Sequence, residues 1–311
     1  MGSLTSKTRD WDLEPSPRQD ARMAEVKVLN LPQPGDVATK GAAASDASVI
    51  SQLLQKSMLR LTGRFLDEAD GTVNYTALKE SQEYREYRQL ASRLGEVDVS
   101  VLQPEERKAF FINVYNALTV DSIAQLEEPP ASTLDVANFW TAYAYSIGPH
   151  SYTLDQIEHG ILRGNRPHPS TGTLALAPGD PRLRHCPPTF DPRIHFALNC
   201  GAKSCPAVRV YTGGNLEASL EAATKTYLRQ EVEARDGVLR LPQILQWYRD
   251  DFAPDQQGML RWIQGYVGEA ERTAIDALLA PAGGPPPSSI LYHYDWSLNT
   301  ARVLDASSTW L

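Results

Sequence analysis

The sequence predicts an α+β fold, mostly helical, arranged as a single domain around a small central sheet. Three observations carry that expectation. Apolar residues recur at helical spacing from Asp46 onward, with Val49, Ile50, Leu53, Leu54, Met58 and Leu61 three or four apart. A second apolar helix, containing Phe110 to Leu118, follows Pro104-Glu-Glu, where proline and acids favour a helix start. Extended segments are short: the apolar Ile194 to Leu198, and Val232 to Leu241 with an Asp236-Gly237 turn inside it.

Composition narrows the function. A formal net charge of −8 over 311 residues argues against nonspecific nucleic-acid binding, which needs a basic face. No apolar run approaches the roughly 18 residues of a membrane span, and no charged start leads into a secretory signal. Three cysteines do not make a disulfide framework, so a reducing, cytoplasmic setting is expected, with thiols available for chemistry.

In chain order, residues 1–45 mix Pro, Ser, Asp, Gly and Ala without a period and read as a disordered leader. Gly2 and Ser6 fit a myristoylation pattern, although Met-Gly-Ser also resembles a cloning remnant, and a single lipid chain anchors weakly. The domain is expected over 46–300 and a tail over 301–311. Val73 to Tyr75 reads as a short extended piece, Thr76 to Leu94 as helix. On the Phe110–Leu118 helix Asn113 and Asn116 lie three apart. Their amides would either point at a ligand or hydrogen-bond backbone to hold the fold, and the second reading is favoured. Ser151 to Arg163 reads as a helix with a Thr153–Gln156 capping box, placing Glu158 at the edge of its buried stripe and His159 further round on a charged rim. Residues 164–190, with His168, His185 and Cys186, read as an irregular loop. Further helices are expected through Leu216–Leu228, from Pro242 to Phe252, from Met259 to Val267 and from Ala270 to Leu279, then an extended segment from Ile290 to Asn299.

The stretch Asp191 to Pro206 gathers His195, Asn199, Cys200 and Cys205 within a few positions. As a strand it would place His195, Ala197 and Asn199 on one face and Phe196, Leu198 and Cys200 on the other. The cysteines and histidines lack Cys-x-x-Cys pairs and a helical His-x-x-x-His, so no metal is expected. Without a phosphate loop or nucleotide fingerprint, no cofactor is expected either.

These segments resemble the DUF547 family. Phe111-Ile-Asn-Val-Tyr-Asn-Ala-Leu118 is similar to its asparagine-bearing helix, with Phe111 where Trp is usual. Ile157-Glu-His-Gly-Ile-Leu-Arg163, Asp191 to Pro206, Leu241-Pro to Asp250-Asp-Phe252, and Tyr294-Asp-Trp-Ser-Leu-Asn299 follow in the family's order. Asp121 stands where plant-type members often carry His, which puts a role for that position in doubt. The resemblance implies an intracellular α+β domain often joined to glutaredoxin, DEP or coiled-coil modules. With no room for such a companion here, the domain is expected to act alone, which tilts the expectation toward an enzyme.

Three functions follow as expectations. The first is a thiol-dependent enzyme acting on a small molecule or peptide by amide, ester or thioester cleavage or acyl transfer. Cys200 would be the nucleophile, with Cys205 as its substitute. His159 or His195 would act as base, oriented by Glu158 or Asn199, and amides of the Gly201–Ser204 loop would bind the developing charge. His159 is the better base, because a strand puts His195 and Cys200 on opposite faces. The second is a non-covalent lyase, isomerase or cyclase using His159, His195 and Glu158. The third is a non-catalytic binding or scaffold domain in which Asn113, Asn116, Arg193 and the cysteines only brace loops and function lies in a surface groove. As candidate binding residues for a ligand, Asn113, Asn116, Arg193, Asn199, Ser204 and Cys205 are singled out. Oligomeric state is not legible.

Overall fold

The computed structural model describes residues 25–32, 47–67, 72–280 and 289–298. The Gly2 pattern, the 301–311 tail and most of the expected leader lie outside them. Within the leader's expected span, Lys27–Val28 forms strand β1, followed by buried Leu29. The side chain of Asn30 pins this segment, donating to Ala91 O and Ser146 O and accepting from Ser146 N.

The first half is built on two long helices, α1 (Ala47–Arg64) and α4 (Pro104–Ala124), which pack together. Between them lie a two-residue hairpin, β2 (Leu66–Asp67) with β3 (Thr72–Val73), and helices α2 (Tyr75–Glu80) and α3 (Gln82–Ser92). The single helix expected over 76–94 is interrupted at Ser81. That residue is extended (φ −69°, ψ 157°), and its hydroxyl caps the second piece by accepting from Tyr84 N. Helix α4 is buried nearly all round from Ala109 to Ala124, as its apolar composition requires.

The short helix α5 (Phe139–Ala142) leads into the hairpin β4 (Tyr143–Ile147) and β5 (His150–Thr153), turning at Gly148. Gly148 has φ 53°, and a Cβ there would lie 2.7 Å from Val97 O, so glycine is required. The helix expected from Ser151 therefore starts later. Ser151–Thr153 belongs to β5, and Gln156–Leu162 winds as a π-helix in which Glu158 O accepts from Arg163 N. The Thr153–Gln156 box is present at its start.

The second half holds α6 (Leu216–Glu231), β6 (Glu233–Arg235), β7 (Val238–Pro242), α7 (Ile244–Trp247), α8 (Arg249–Phe252), α9 (Gln256–Ile263), α10 (Glu269–Leu279) and β8 (Ser289–His293). The expected turn is there, Asp236 and Gly237 taking φ 53° and 72°. Pro242 ends β7 instead of opening a helix.

The chain is an α+β fold with three small sheets among the described residues, ordered β1-β4-β5, β2-β3 and β6-β7-β8. The expected central strand is absent. Pro192–Phe196 is a 3-10 turn, because Asp191 accepts from Arg193 N and Pro192 sits at the first helical position. The face assignment drawn from strand alternation fails with it. The turn straddles two apolar cores: Ile194, Ala197 and Leu198 pack into the first, with α1, α3 and α4, while Phe196 packs into the second, with β7 and α7–α10. No helix among the described residues is long and apolar enough to cross a membrane.

Candidate functional site

Two asparagines of α4 set the backbone of the central stretch. Asn113 donates to Tyr211 O at 2.7 Å and accepts from Tyr211 N at 2.9 Å. Asn116 does the same across the stretch, donating to Ala197 O at 2.9 Å and accepting from Asn199 N at 2.8 Å. Each amide thus imitates a strand neighbour for a segment that has none. Asn199 closes its own loop, accepting from Gly201 N and donating to Pro206 O. Arg193 ties the 3-10 turn to α6 through Asp191, Glu217 and Glu221. Ser204 fastens the loop to the chain after β8, its hydroxyl accepting from Asp295 N.

The second polar group lies where the two cores meet. Glu158 and His159, placed on a rim by a regular helix, are 7% and 3% exposed, because the π-helix changes which side chains turn inward. His195 Nε2 lies 2.8 Å from Asp251 Oδ2 on α8. The same carboxylate accepts from Arg163 Nε at 2.7 Å, Arg163 NH2 at 3.1 Å and Arg166 NH1 at 3.0 Å. Burial opposes its charge, but His195 and Arg163 outweigh that and hold the carboxyl well below the usual range. The Tyr248 ring stacks on His195 at 3.8 Å between centroids, and its hydroxyl donates to Glu158 at 2.6 Å. Burial would push Glu158 up, yet His159, His195, Tyr248 and Arg163 together bring it below the ordinary value.

The thiols form a third group. Cys200 Sγ and Cys205 Sγ are 3.1 Å apart, both half-buried, with Tyr294 Oη 3.2 Å from Cys205 and 3.7 Å from Cys200. Cys205 Sγ accepts from Cys200 N–H at 3.1 Å, and its hydrogen bonds with Cys200, Tyr294 and the loop backbone together outweigh burial and lower its pKa. The hydrogen bond given to Cys205, burial and the charge of Cys205 raise Cys200 far above an ordinary thiol.

Sequence reasoning expected Cys200, His159, His195 and Glu158 in one site. The structure brings the histidines and Glu158 together around Tyr248, while the thiols hydrogen-bond with each other, Tyr294 and backbone, Cys200 being near enough to Tyr115 and Tyr248 to help raise their pKa. Gly201, Lys203 and Ser204 N–H, expected to bind developing charge, already donate to Asn199 Oδ1, Ser297 O and Asp295 O. Asp251, Arg163, Tyr248 and Tyr294 were missed. Each stood inside a segment singled out above, but only the packing of the second core onto the 3-10 turn shows what they meet.

One trio has metal-ligand chemistry: Asp155, His159 and His168, with one ligand atom each, lie within 4.8 Å of one another. His159 Nδ1 lies 2.9 Å from Arg163 NH1, and His168 Nδ1 faces Ser170 N at 3.2 Å. A guanidinium and a backbone N–H can only donate, so both rings carry their proton on Nε2. A metal-bound imidazole needs the opposite, a free Nε2 with Nδ1 donating outward. The trio therefore fits a hydrogen-bonded oxygen better than a cation. Burial first, then Glu158, pushes the Asp155 carboxyl up to about 7, and burial brings His159 down to about 4.

With this geometry in view, the family comparison is specific. The model of DUF547, described as a protein of unknown function, matches residues 99–228. The chain carries a DUF547 domain. Its matched span holds α4, the π-helix, the 3-10 turn, both thiols of the central loop and most of α6, while Tyr248, Asp251 and Tyr294 lie beyond it. Neither the curated proteins nor the solved structures contain a match.

Proposed function

We propose that this DUF547 chain is a thiol-dependent enzyme in which Cys205, held as a thiolate, transfers or cleaves an acyl group of a small molecule or peptide. The observation that carries the reading is the set of contacts at Cys205 Sγ, which accepts from Cys200 N–H at 3.1 Å and lies 3.1 Å from Cys200 Sγ and 3.2 Å from Tyr294 Oη. A sulfur whose pKa is lowered in this way gives up its proton more readily than a free thiol and asks less of a histidine base. The expected nucleophile thus moves from Cys200 to Cys205, with Cys200 as its protonated neighbour.

The surroundings also favour one leaving group. Cys205 Sγ would attack the acyl carbon, forming an S–C bond as the bond to the leaving group breaks. An amine must leave protonated, and no imidazole stands at this sulfur to supply the proton. A thiolate leaves unaided, so thioesters are the favoured substrates. Negative charge passes from sulfur to the carbonyl oxygen, and the Cys200 N–H, which had held the sulfur, is a donor beside it. Water or another acceptor then takes the acyl group and restores the thiolate. Half-buried Trp247 and Trp296, with rings 5.0 and 4.9 Å from that of Tyr294, offer an apolar face beside the loop for the acyl part.

Iodoacetamide labelling of the reduced chain tests this. Cys186 is the internal reference, because burial raises its pKa. Cys205 is expected to react at pH 7 at least about tenfold faster than Cys186, and the fast phase should vanish in Cys205→Ser. Equal rates at the two sites overturn the proposal.

A further inference from the structure

The central loop places two sulfurs in contact and holds them there. Cys200 and Cys205 are five positions apart, and the chain doubles back between them at Gly201, whose φ is 91°. A Cβ at Gly201 would lie 2.8 Å from Ile123 Cδ1 and 3.1 Å from Leu298 Cδ1, so only glycine makes this return. Asn199, Ser297 and Asp295 then fix the loop amides. The sulfurs stand 3.1 Å apart, about 1 Å beyond a bond, with no further ordering needed to bring them together. The third thiol, Cys186, is occupied elsewhere, donating to Gly160 O.

We propose that Cys200 and Cys205 are a peroxide-responsive dithiol, closing reversibly into a disulfide that takes the nucleophile out of use. The inference rests on Cys205 being the reactive thiolate and adds the regulation of that same site.

The steps balance with a peroxide as oxidant. Cys205 thiolate attacks one peroxide oxygen, the O–O bond breaks, the distal oxygen leaves as alcohol or water after taking a proton, and Cys205 becomes a sulfenic acid. Cys200 sulfur then attacks Cys205 sulfur. The S–S bond forms, the S–O bond breaks, and the Cys200 proton leaves with the oxygen as water. The two sulfurs lose two electrons and the peroxide gains them. An external dithiol restores both thiols by exchange.

The order of events is built into the pair. While Cys205 is a thiolate, its hydrogen bond and its charge hold the proton on Cys200. Conversion of Cys205 to a neutral sulfenic acid removes both influences at once. Cys200 becomes a nucleophile only when there is something for it to resolve. Both cysteines are half-buried beside the Trp247–Tyr294–Trp296 rings, a setting that favours a small oxidant over a bulky one.

The sequence supplies its own readout, because trypsin cuts after Lys203, between the two cysteines. In the reduced chain the peptides Ile194–Lys203 and Ser204–Arg209 are separate. After a few equivalents of hydrogen peroxide they should be found joined, with loss of two hydrogens. Cys205 alkylation should fall at least tenfold, and dithiothreitol should restore both. In Cys200→Ser the joined species should be absent and dimedone should trap Cys205 as its sulfenic acid. A Cys205 that alkylates fast but never joins Cys200, passing instead to the sulfinic acid, sinks this inference and leaves the thiolate reading standing. A Cys205 that alkylates no faster than Cys186 in the reduced chain removes both.

Discussion

Asp121 and Asp251 are both buried carboxylates ringed by donors, and their settings differ. Asp121 accepts from the hydroxyls of Tyr84 and Tyr145 and from Arg88, all supplied by α3 and β4, next to its own α4. Tyr87 completes the cluster at 2.6 Å from the Tyr145 hydroxyl. Everything lies inside one core, and every oxygen is satisfied. Asp251 belongs to the second core and reaches residues that sit on the first. Through His195 and Tyr248 its network continues to Glu158 and then along the π-helix to Asp155, whose carboxylate faces His159 Nε2 at 3.9 Å, beyond hydrogen-bond reach, and accepts no hydrogen bond among the described residues. A satisfied carboxylate within a core braces it. One that bridges two cores orients side chains, and here the chain of contacts ends at an unsatisfied, partly open acid, where a ligand atom has something to gain.

The largest expected effect separates the two carboxylates directly. Asp251→Ala strands Arg163, whose side chain is 5% exposed, together with buried His195, and should cost about 3 to 5 kcal/mol in urea unfolding. Asp121→Ala strands two neutral hydroxyls and an arginine that is 18% exposed and can turn to water, so about 2 to 3 kcal/mol is expected. The pH profile of Asp251→Ala should change as well. The depressed Asp251 carboxyl stabilises the fold above its unfolded pKa of about 4 and loses that contribution as pH falls through the folded value. Acid sensitivity below about pH 4 should therefore weaken in Asp251→Ala. Equal losses in the two variants would abolish the contrast.

How much of this the sequence disclosed follows from the range of each interaction. The helical periodicity of α1, α4 and α6 and the Asp236-Gly237 turn are local signals, and they appear where expected. The central strand does not, because an apolar run as short as Ile194 to Leu198 has no periodicity of its own to separate strand from turn. The deciding partner, Asn116, is far away in the chain. The π-helix was illegible for a related reason: one extra residue in a turn leaves no mark on composition, yet it carries Glu158 and His159 from rim to interior. The asparagines of α4 were recognisable as unusual, while their partners Tyr211 and Ala197 were not. Cys200 and Cys205 were visible as a pair, but which sulfur holds the charge depends on loop amides and on Tyr294. The Asp121 position, doubtful from the family resemblance, is a brace within the first core.

A smaller effect sharpens the open end of the Asp251 network. Asp155 is raised to about 7 by burial and Glu158, so the fold prefers it protonated. Its contribution is complete below the unfolded value of about 4 and is lost as pH rises through about 7. Each tenfold change in proton affinity is worth about 1.4 kcal/mol, which sets a ceiling near 4 kcal/mol. With 23% of the side chain exposed, about 2 kcal/mol is expected. Asp155→Asn should therefore be the more stable protein at pH 8 and lose the slope between pH 4 and 7. An unchanged slope would mean that the acid is already solvated or paired, and the trio would no longer be the open end of anything.

The smallest effect asks whether burial or the number of bonds ranks these clusters. The Arg193 side chain donates to Asp191, Glu217 and Glu221 through five hydrogen bonds against four for Arg163, and Glu217 and Asp191 raise its pKa. By count it should matter as much. Yet the Glu217 side chain is 81% exposed and Glu221 52%, so water replaces the guanidinium at little cost when it is removed. Asp191 keeps the N–H of residue 193, which belongs to the backbone and survives substitution, and has Lys108 at 3.8 Å. Arg193→Ala should therefore cost about 1 kcal/mol or less, shrinking further in high salt. A loss matching that of Asp251→Ala would show that the 3-10 turn hangs on α6 and not on the seam between the cores, and the Asp251 network would lose its claim to position His195.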